Sequence, residues 1–336
     1  MGEGLRAKVV PEAALVRRAV RVALADLSPG DLVLLACSGG ADSVALAVAV
    51  SREAARAGWR AGAVIVDHGL QEGSAGRSAA LADQLTALGL APVMVCTVEV
   101  STDGGPEAAA RTARYAALES CAARHHATAV LLGHTRDDQA ESVLLGLARG
   151  SGARSLSGMA AVRGVHRRPL LGLSREVVRR AAAGHETWED PHNADDRFAR
   201  TRVRTTALPV LESTLGPGVA EALARSADLL RADADALDGW ATSAYGECLD
   251  GTRTGCLALD VLRLAALPVS VRSRVLRRAA LAAGSPASDL AAGHVGELDR
   301  LVTDWHGQGP LMLPGRVSAA RACGTLALSG PQHGST

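Results

Sequence analysis

The stretch LVLLACSGGADSVALAVAV, residues 32–50, decides the fold of this chain. An apolar run ends at a Ser-Gly-Gly triplet at 38–40, and a second run of small apolar residues follows it. The first run predicts a buried strand over 32–37 and the second a helix over 43–57. A glycine turn from strand to helix directs unpaired amides at one point, where the helix dipole also favours an anion. The stretch therefore predicts a site for phosphate or pyrophosphate.

The residues around the triplet narrow the kind of site. The loop has no Gly-Lys-Ser/Thr and no GxGxxG, so neither a Walker A loop nor a dinucleotide fingerprint is present. Ser38 and Ser43 offer hydroxyl donors. Asp42 would repel a phosphate unless Mg²⁺ lies between them. An ordinary glycine turn explains the triplet alone as well, but the complete Ser-Gly-Gly-x-Asp-Ser after a buried strand is more specific.

The first half of the chain alternates between apolar strands and helices. Strands are predicted over 62–69, 91–100 and 128–134, and helices over 11–25, 74–89, 106–125 and 137–148. Near-continuously apolar strands between helices are typical of a doubly wound parallel α/β sheet. Ser38, Asp67 and His134 end three of these strands, so we expect them at one edge of the sheet, where ligands bind.

The second half changes character after a Gly- and Arg-rich segment. Helices are predicted over roughly 217–247, 257–282 and 287–306, followed by two or three short strands. We therefore expect a catalytic domain over 1–210 and a smaller, mostly helical domain over 211–336 that ends in short strands.

Composition limits the class of protein. The 336 residues are 48% hydrophobic, enough to bury the cores of two domains. None of the six cysteines forms a CxxC pair, which favours reduced thiols and a cytoplasmic location. No apolar stretch predicts a signal peptide or a membrane span. The net charge is +1, but residues 149–206 hold 12 arginines and six acidic residues, which suggests either a polyanionic partner or a solvated basic face.

A second polar block, GHTRDDQAES at 133–142, follows the predicted strand over 128–134. Asp138 and Glu141 are three residues apart and share a helix face. Beside a phosphate site, such a pair suits Mg²⁺ or a cationic amine. In isolation, the same residues would be explained by helix capping and solvated acids. Arg111 and Arg114 are likewise three apart and within reach of one anion.

The motifs together resemble one family. SGGADS resembles the PP-motif of the N-type ATP pyrophosphatases, also called PP-loop or adenine nucleotide alpha hydrolase-like proteins. Further blocks resemble tRNA(Ile)-lysidine synthetase, in order over about residues 31–206: VDHGL (66–70), ARTARYAAL (110–118), GHTRDDQAESVLLGLARGSG (133–152), RPLL (168–171) and WEDPHNADDRFARTRVR (188–204).

The resemblance implies a reaction. ATP would adenylate the C2 oxygen of the wobble cytidine of tRNA(Ile) with a CAU anticodon, with release of pyrophosphate. Free L-lysine would then displace AMP to give lysidine. Mg²⁺ is expected at Asp42 and Asp138. The 211–336 domain would recognise the tRNA acceptor arm, and a homodimer is one alternative that the sequence leaves open.

Roles are carried over from the family only where its motifs match. Catalytic or lysine-binding roles fall on Asp42, His134, Asp138 and Glu141. The ATP site would comprise Ser38, Gly39, Gly40, Ala41, Asp42, Ser43, the backbone near Val66, His68, Arg111 and Arg114. His68 equally suits a structural cap of its strand. A turn at 190–193 would precede Arg200, Arg202 and Arg204, which either bind tRNA or pair with nearby acids.

Two other functions would also use a phosphate-binding glycine turn of this kind. A tRNA thiolase needs cysteines that carry sulfur or hold an iron–sulfur cluster, and the missing CxxC weighs against it. A non-enzymatic ATP sensor would not need the face formed by Asp138 and Glu141 or the basic band.

Overall fold

The structure is a computed structural model that describes residues 11–69, 73–98, 106–150, 152–190, 195–253 and 256–331. The chain forms two compact units, divided in sequence between Arg231 and Ala232. The first contains a six-stranded, mainly parallel sheet and the second a five-stranded antiparallel sheet. The predicted fold class is therefore confirmed. No helix in the described ranges is both long and apolar enough to span a bilayer.

Four parallel strands form the centre of the first sheet, in the order β3-β2-β1-β4. They are β1 (Leu32–Ala36), β2 (Arg60–Asp67), β3 (Val93–Thr97) and β4 (Ala129–Leu131). The helices between them are α2 (Ala41–Ala57), α3 (Ser74–Ala87) and α4 (Pro106–Arg124). The chain winds outward from β1 to β3 and then returns to the other side of β1. Ligands of open α/β sheets bind at such a reversal, beyond the carboxyl ends of the strands.

Both faces of β1 are buried, as its unbroken apolar sequence predicts. Val33 and Leu35 face one apolar core, which α2 and the preceding helix α1 (Pro11–Ala23) also enter. Leu34 faces the other core, with Leu118 and Cys121 of α4. The sheet is therefore covered on both faces around β1, and the glycine turn lies at the carboxyl end of this strand.

The segment after β4 contains more regular structure than the sequence suggests. It forms α5 (Arg136–Ala148), α6 (Ala153–Leu156), β5 (Val162–Arg163), β6 (His166–Arg167), a 3₁₀ turn (Pro169–Gly172) and α7 (Arg175–Ala181). β6 extends the sheet beside β4, and β5 pairs with it antiparallel. Two-residue strands are too short to show a hydrophobic period. Residues 191–194 lie outside the described ranges. Beyond them the chain forms three consecutive elements: α8 (Ala199–Arg202), a π turn (Val203–Ala207) and α9 (Leu208–Leu215).

The second unit corrects one helix prediction. Residues 257–282 are not a single helix: β8 (Cys256–Asp260) is followed by α11 (Val261–Ala266) and α12 (Val269–Ala282). The side chain of Asp260 accepts the amide of Arg263 and so begins α11, and Pro268 separates the two helices. The other elements are the C-terminal part of α10 (Val219–Cys248), β7 (Leu249–Arg253), α13 (Ala292–Thr303), β9 (Leu311–Leu313), β10 (Val317–Ala322) and β11 (Thr325–Ser329). The three short terminal strands confirm the prediction.

A glycine in β2 provides a test of the packing in the first sheet. A Cβ at Gly62 would lie 2.5 Å from the Pro92 carbonyl oxygen and 2.9 Å from a Leu34 methyl, so Gly62→Ala should destabilise the fold. We expect a loss of about 1–3 kcal/mol in urea unfolding. The matched control is Gly76→Ala in α3, where a Cβ meets nothing within 4 Å. It should be neutral or stabilising, and equal effects at the two glycines would contradict the packing described here.

Candidate active site

The glycine turn after β1 leaves several amides without a protein partner. Gly39 has a φ of +81°, which favours glycine, and Gly40 is the N-cap of α2. The Ser43 hydroxyl donates to the Gly40 carbonyl at 2.8 Å and accepts the Ser38 amide at 3.3 Å, so it shapes the loop from within. The Gly39 amide faces the Cys37 thiol, whereas in the described ranges no acceptor contacts the amides of Gly40, Ala41 or Asp42. The loop therefore retains donors for an anion.

Two cavities meet at this loop. The larger has a volume of about 520 Å³ and the smaller about 240 Å³. Both are lined by Ala36, Ser38, Gly40, Arg114 and Trp188. A ligand with an apolar part and an anionic part can thus lie across the loop with one part in each cavity.

The larger cavity extends along the end of β2 towards α3. Val66 and His68 line it, as the resemblance predicts for part of the ATP site. Asp67 is structural, because its carboxylate accepts the Gly69 amide at 2.9 Å and the Ser78 hydroxyl at 3.3 Å. His68 Nδ1 is buried, and no described residue partners it. Burial and the nearby Arg114 charge lower the pKa of His68, so its ring is neutral near pH 7.

A segment that the sequence did not predict to contact the loop, residues 186–188, crosses the loop between the cavities; we call it the strap. The Trp188 amide donates to the Gly39 carbonyl at 2.9 Å, and the Arg77 guanidinium lies 4.9 Å from the centre of the Trp188 ring. The Gln84 side chain donates to the Glu186 carbonyl at 3.0 Å and so fastens the strap to α3. An aromatic residue just before the Asp190 turn was the only available signal. Most of that predicted turn (191–193) lies outside the described residues.

The smaller cavity joins the start of α2 to the end of β4. Its lining includes Asp42, His134, Asp138, Arg175 and Arg204. A Cβ at Gly133 would lie 3.3 Å from the Asp42 carbonyl oxygen and 3.4 Å from the Ser43 Cα, so the two segments are almost in contact. The glycine turn and the 133–142 block therefore face one space, as their positions at the strand ends predict.

Arginines surround the Asp138 and Glu141 carboxylates. Glu141 has no exposed surface, and it accepts hydrogen bonds from Arg175 at 3.0 Å, Arg200 at 2.9 Å and Arg204 at 2.7 and 3.0 Å. Asp138 accepts from Arg175 at 2.9 Å, and its other oxygen accepts the Thr135 amide at 2.7 Å in a capping box. Burial raises the pKa of both acids, but the arginines outweigh it and the net shift is downward. Both acids are therefore ionised in the folded protein.

Asp42 is the least compensated acid of the site. Its Oδ1 is buried and lacks a partner among the described residues, and its Oδ2 lies 4.0 Å from Arg175 Nε. Burial and the Asp138 charge raise the pKa of Asp42 to about 6. An orphaned carboxylate oxygen beside a phosphate-type loop fits Mg²⁺, which binds through one or two carboxylates and substrate phosphates. The described residues contain no group of three or more metal-binding side chains, so phosphate and water would complete the shell.

The other predicted residues divide between the site and its surroundings. Arg114 lines both cavities and has no partner in the described part of the chain, whereas Arg111 stacks on the Tyr115 ring at 5.1 Å. Burial and the Arg114 charge lower the pKa of His134 to about 3, which makes its ring a hydrogen-bonding group and a weak base. Arg200 and Arg204 point to Glu141, while the exposed Arg202 donates to the Asp196 and Arg197 carbonyls. Their binding of tRNA stays a prediction.

Known proteins match this chain over both units. The PP-loop domain family matches residues 14–211, and the TilS substrate binding domain family matches residues 259–326. A tRNA(Ile)-lysidine synthase of Thermobifida fusca is 58% identical over 95% of this chain and 98% of its own. One from Streptomyces coelicolor is 57% identical over 90% of this chain and 86% of its own, and one from Mycobacterium tuberculosis 47% over 87% and 88%.

Similarity to a solved structure supports the fold alone. The U34-tRNA thiolase NcsA from Methanococcus maripaludis, solved with its 4Fe-4S cluster, aligns with a TM-score of 0.55 at 17% identity. The alignment covers 66% of this chain and 80% of the thiolase.

The sheet, the glycine turn and the matched domain define an ATP-using enzyme of the PP-loop class. Identities of 47–58% over most of the chain, together with the second matched domain, go further: the chain belongs to the tRNA(Ile)-lysidine synthase family. The predicted ligase function is thereby confirmed over the thiolase and the ATP sensor.

The arginine cluster predicts a large stability effect at Glu141. Glu141→Gln removes the charge that three guanidinium groups share, and we expect a loss of about 3–5 kcal/mol in urea unfolding. The control is Glu221→Gln, since Glu221 is exposed and pairs with Arg136 at 3.3 Å. That change should cost less than about 1 kcal/mol. A Glu141→Gln protein as stable as the control would show that the cluster is not a structural element.

The unpartnered Asp42 predicts a stability gain that depends on pH. Its folded pKa of about 6 lies above the ordinary value of 3.8, so ionised Asp42 opposes folding above pH 6 and the cost vanishes below pH 4. Asp42→Asn should therefore be more stable than wild type by about 3 kcal/mol at pH 8 without Mg²⁺. The difference should shrink towards zero by pH 4. A difference that is the same at both pH values would mean that Asp42 is not held ionised at a cost.

Proposed function

We propose that ATP lies across the two cavities, with its base beside the end of β2 and its phosphates at the glycine turn. The observation that carries this proposal is the set of amides at 40–42 without a partner in the described ranges, together with Arg114, at the point where the cavities meet. Such donors stabilise negative charge that develops on a leaving pyrophosphate. The α-phosphorus would then face the space between the loop and His134.

The chemistry follows from this placement in two steps. The cytidine C2 oxygen attacks the α-phosphorus, and pyrophosphate leaves. The ε-ammonium of free L-lysine then gives a proton to a nearby carboxylate, the neutral amine attacks C2, and AMP leaves with the oxygen. The base must be presented unstacked, as in other enzymes that modify a base. The amides of the loop bind the pyrophosphate, and Asp138 and Glu141 bind the amine.

Mg²⁺ would be held by Asp42, with Asp138 as a second carboxylate near it. It would neutralise phosphate charge as pyrophosphate departs. His134 has too low a pKa to hold a proton near neutral pH. We therefore assign it a hydrogen bond to the substrate rather than the removal of the amine proton.

The tRNA would be bound by two parts of the chain. The basic band over 149–206 carries a surplus of six positive charges, and its exposed members suit a phosphate backbone. Residues 211–336 would recognise the tRNA outside the anticodon, in keeping with the substrate binding domain matched at 259–326. Because tRNA and ATP are the substrates, we place the reaction in the cytoplasm.

Measurement of pyrophosphate release tests the proposed reaction. We expect release that depends on tRNA(Ile), with lysidine forming only when lysine is also present. Tight ATP binding without turnover would instead support a sensor.

The role of Asp42 has its own test. Asp42→Ala should abolish pyrophosphate release, because the metal loses its carboxylate, while tRNA binding in a filter assay stays within about threefold of wild type. Asp83→Ala, a change at an acid in α3 that lines neither cavity, is the control and should release pyrophosphate normally. Wild-type turnover in the Asp42 variant would refute the metal role.

A further inference from the structure

One arginine contacts three acids, namely Asp42 and Asp138, which line the smaller cavity, and the buried Glu141. Arg175 Nη2 lies 2.9 Å from Asp138 Oδ1 and 3.0 Å from Glu141 Oε1, and its Nε lies 4.0 Å from Asp42 Oδ2. Among the described residues, no other cation is within 4.0 Å of all three carboxylates; Arg204 bonds to Asp138 and Glu141 and acts on Asp42 only from a greater distance. The sequence motifs gave no sign of it, because Arg175 follows β4 by more than 40 residues.

A single nitrogen of Arg175 occupies the position between two carboxylates. Asp138 Oδ2 is committed to Thr135, and Glu141 Oε2 is committed to Arg200 and Arg204. Arg175 Nη2 bridges the two remaining oxygens, Asp138 Oδ1 and Glu141 Oε1. Arg204 also reaches these oxygens, but through two separate nitrogens, Nη2 at 3.4 Å and Nε at 2.7 Å. An alkylammonium bound by this pair would need the same position, since it too donates from one nitrogen to both oxygens.

The backbone of Arg175 is fixed while its side chain borders open space. Its amide donates to Asp137 Oδ2 at 2.7 Å, and the neighbouring Leu173 carbonyl accepts the Arg136 amide at 2.9 Å. These bonds join the start of α7 to the start of α5. The guanidinium lines the smaller cavity beside Arg179, one turn further along α7. It can therefore turn from the acids to an anion in that cavity without a shift of the helix.

We infer that Arg175 is a positioning residue that holds the place of the lysine ammonium between Asp138 and Glu141 until phosphate draws it away. Guanidinium forms two parallel bonds with phosphate, which compensates for the carboxylate bonds that it leaves. The vacated position then accepts the ε-ammonium of lysine. This inference rests on the proposed function and adds an order to it: the nucleotide prepares the amine site.

The consequence is a coupling between two ligands. If phosphate removes the cation that competes with lysine, then a nucleotide must raise lysine affinity, and lysine must raise nucleotide affinity by the same factor. Without the Arg175 side chain, no cation in the described part of the chain bridges the two oxygens through a single nitrogen, and the position of Nη2 is open to lysine. Its affinity for the nucleotide-free enzyme should then rise and lose its dependence on nucleotide.

Equilibrium dialysis of labelled lysine against the full-length enzyme tests this coupling. The probe is a Mg²⁺ complex of an ATP analogue with a methylene group between the α and β phosphorus atoms. We expect the analogue to tighten lysine binding at least about fivefold in wild type and less than twofold in Arg175→Gln. Arg180→Gln is the matched control, because Arg180 lies on α7 but is exposed and pairs with Glu176 at 2.5 Å. It should retain the wild-type coupling.

Two outcomes overturn the inference: lysine affinity in wild type that the analogue leaves unchanged, or equal coupling in wild type and Arg175→Gln. If circular dichroism shows that Arg175→Gln does not fold, Arg175→Lys replaces it. The lysine side chain has a single ammonium group, which cannot both bridge the acids and form two parallel bonds with phosphate. Lysidine formation by the same wild-type preparation is measured in parallel. Its presence without coupling refutes only the role of Arg175, and its absence refutes the proposed function.

Discussion

The close approach of the β4 end to the start of α2 is the constraint on which the site depends. The reversal of winding makes β1 and β4 neighbours, so their exit loops leave the same edge side by side. Gly133 then allows the two backbones to approach until only a missing Cβ separates them. A side chain there would move His134 and Asp138 away from the amides of the loop. The anion site and the acid pair are thus parts of one arrangement.

The charges of this arrangement suit two kinds of ligand, an anion in the cavity and a cation at the acid pair. The smaller cavity is lined by more arginines than acids, so the space itself favours an anion such as pyrophosphate. Asp138 lines this cavity and the buried Glu141 is bonded to the same arginines. Both acids can bind a cation because these arginines keep them ionised. A ligand that carries phosphate and a ligand that carries an amine can therefore be held a short distance apart. That is what a reaction with ATP and lysine on one base requires.

The sequence predicted the frame of the molecule better than its site. The strands over 32–37, 62–69 and 128–134 and their helices were predictable because buried strands and helices have different hydrophobic periods. The β5–β6 hairpin was missed, since two-residue strands give too short a pattern, and β8 was missed because its apolar run continues directly into the apolar residues of α11. The glycine turn was recognisable because φ near +81° at Gly39 favours glycine, and the polar residues at the strand ends followed from topology.

Side-chain partners were less predictable because they depend on long-range packing. Trp188 reaches the loop from a segment that follows the whole sheet, and nothing local distinguishes it from a core aromatic residue. From the sequence, Arg200 and Arg204 could either contact RNA or pair with nearby acids. In the structure both arginines form ion pairs with Glu141. A π turn begins beside them at 203, and such irregularities often occur at functional sites.

The balance of charges at Glu141 suits the proposed exchange of cations at this acid and not an exchange of protons. Complete burial alone would raise its pKa, and an isolated buried glutamate would be neutral. Three guanidinium groups outweigh that effect and keep the pKa below its ordinary value, so lowering the pH towards 5 does not neutralise the acid. Its partner Asp138 is held ionised in the same way. Only another cation can then take the place of an arginine at this pair, and an amine substrate is such a cation.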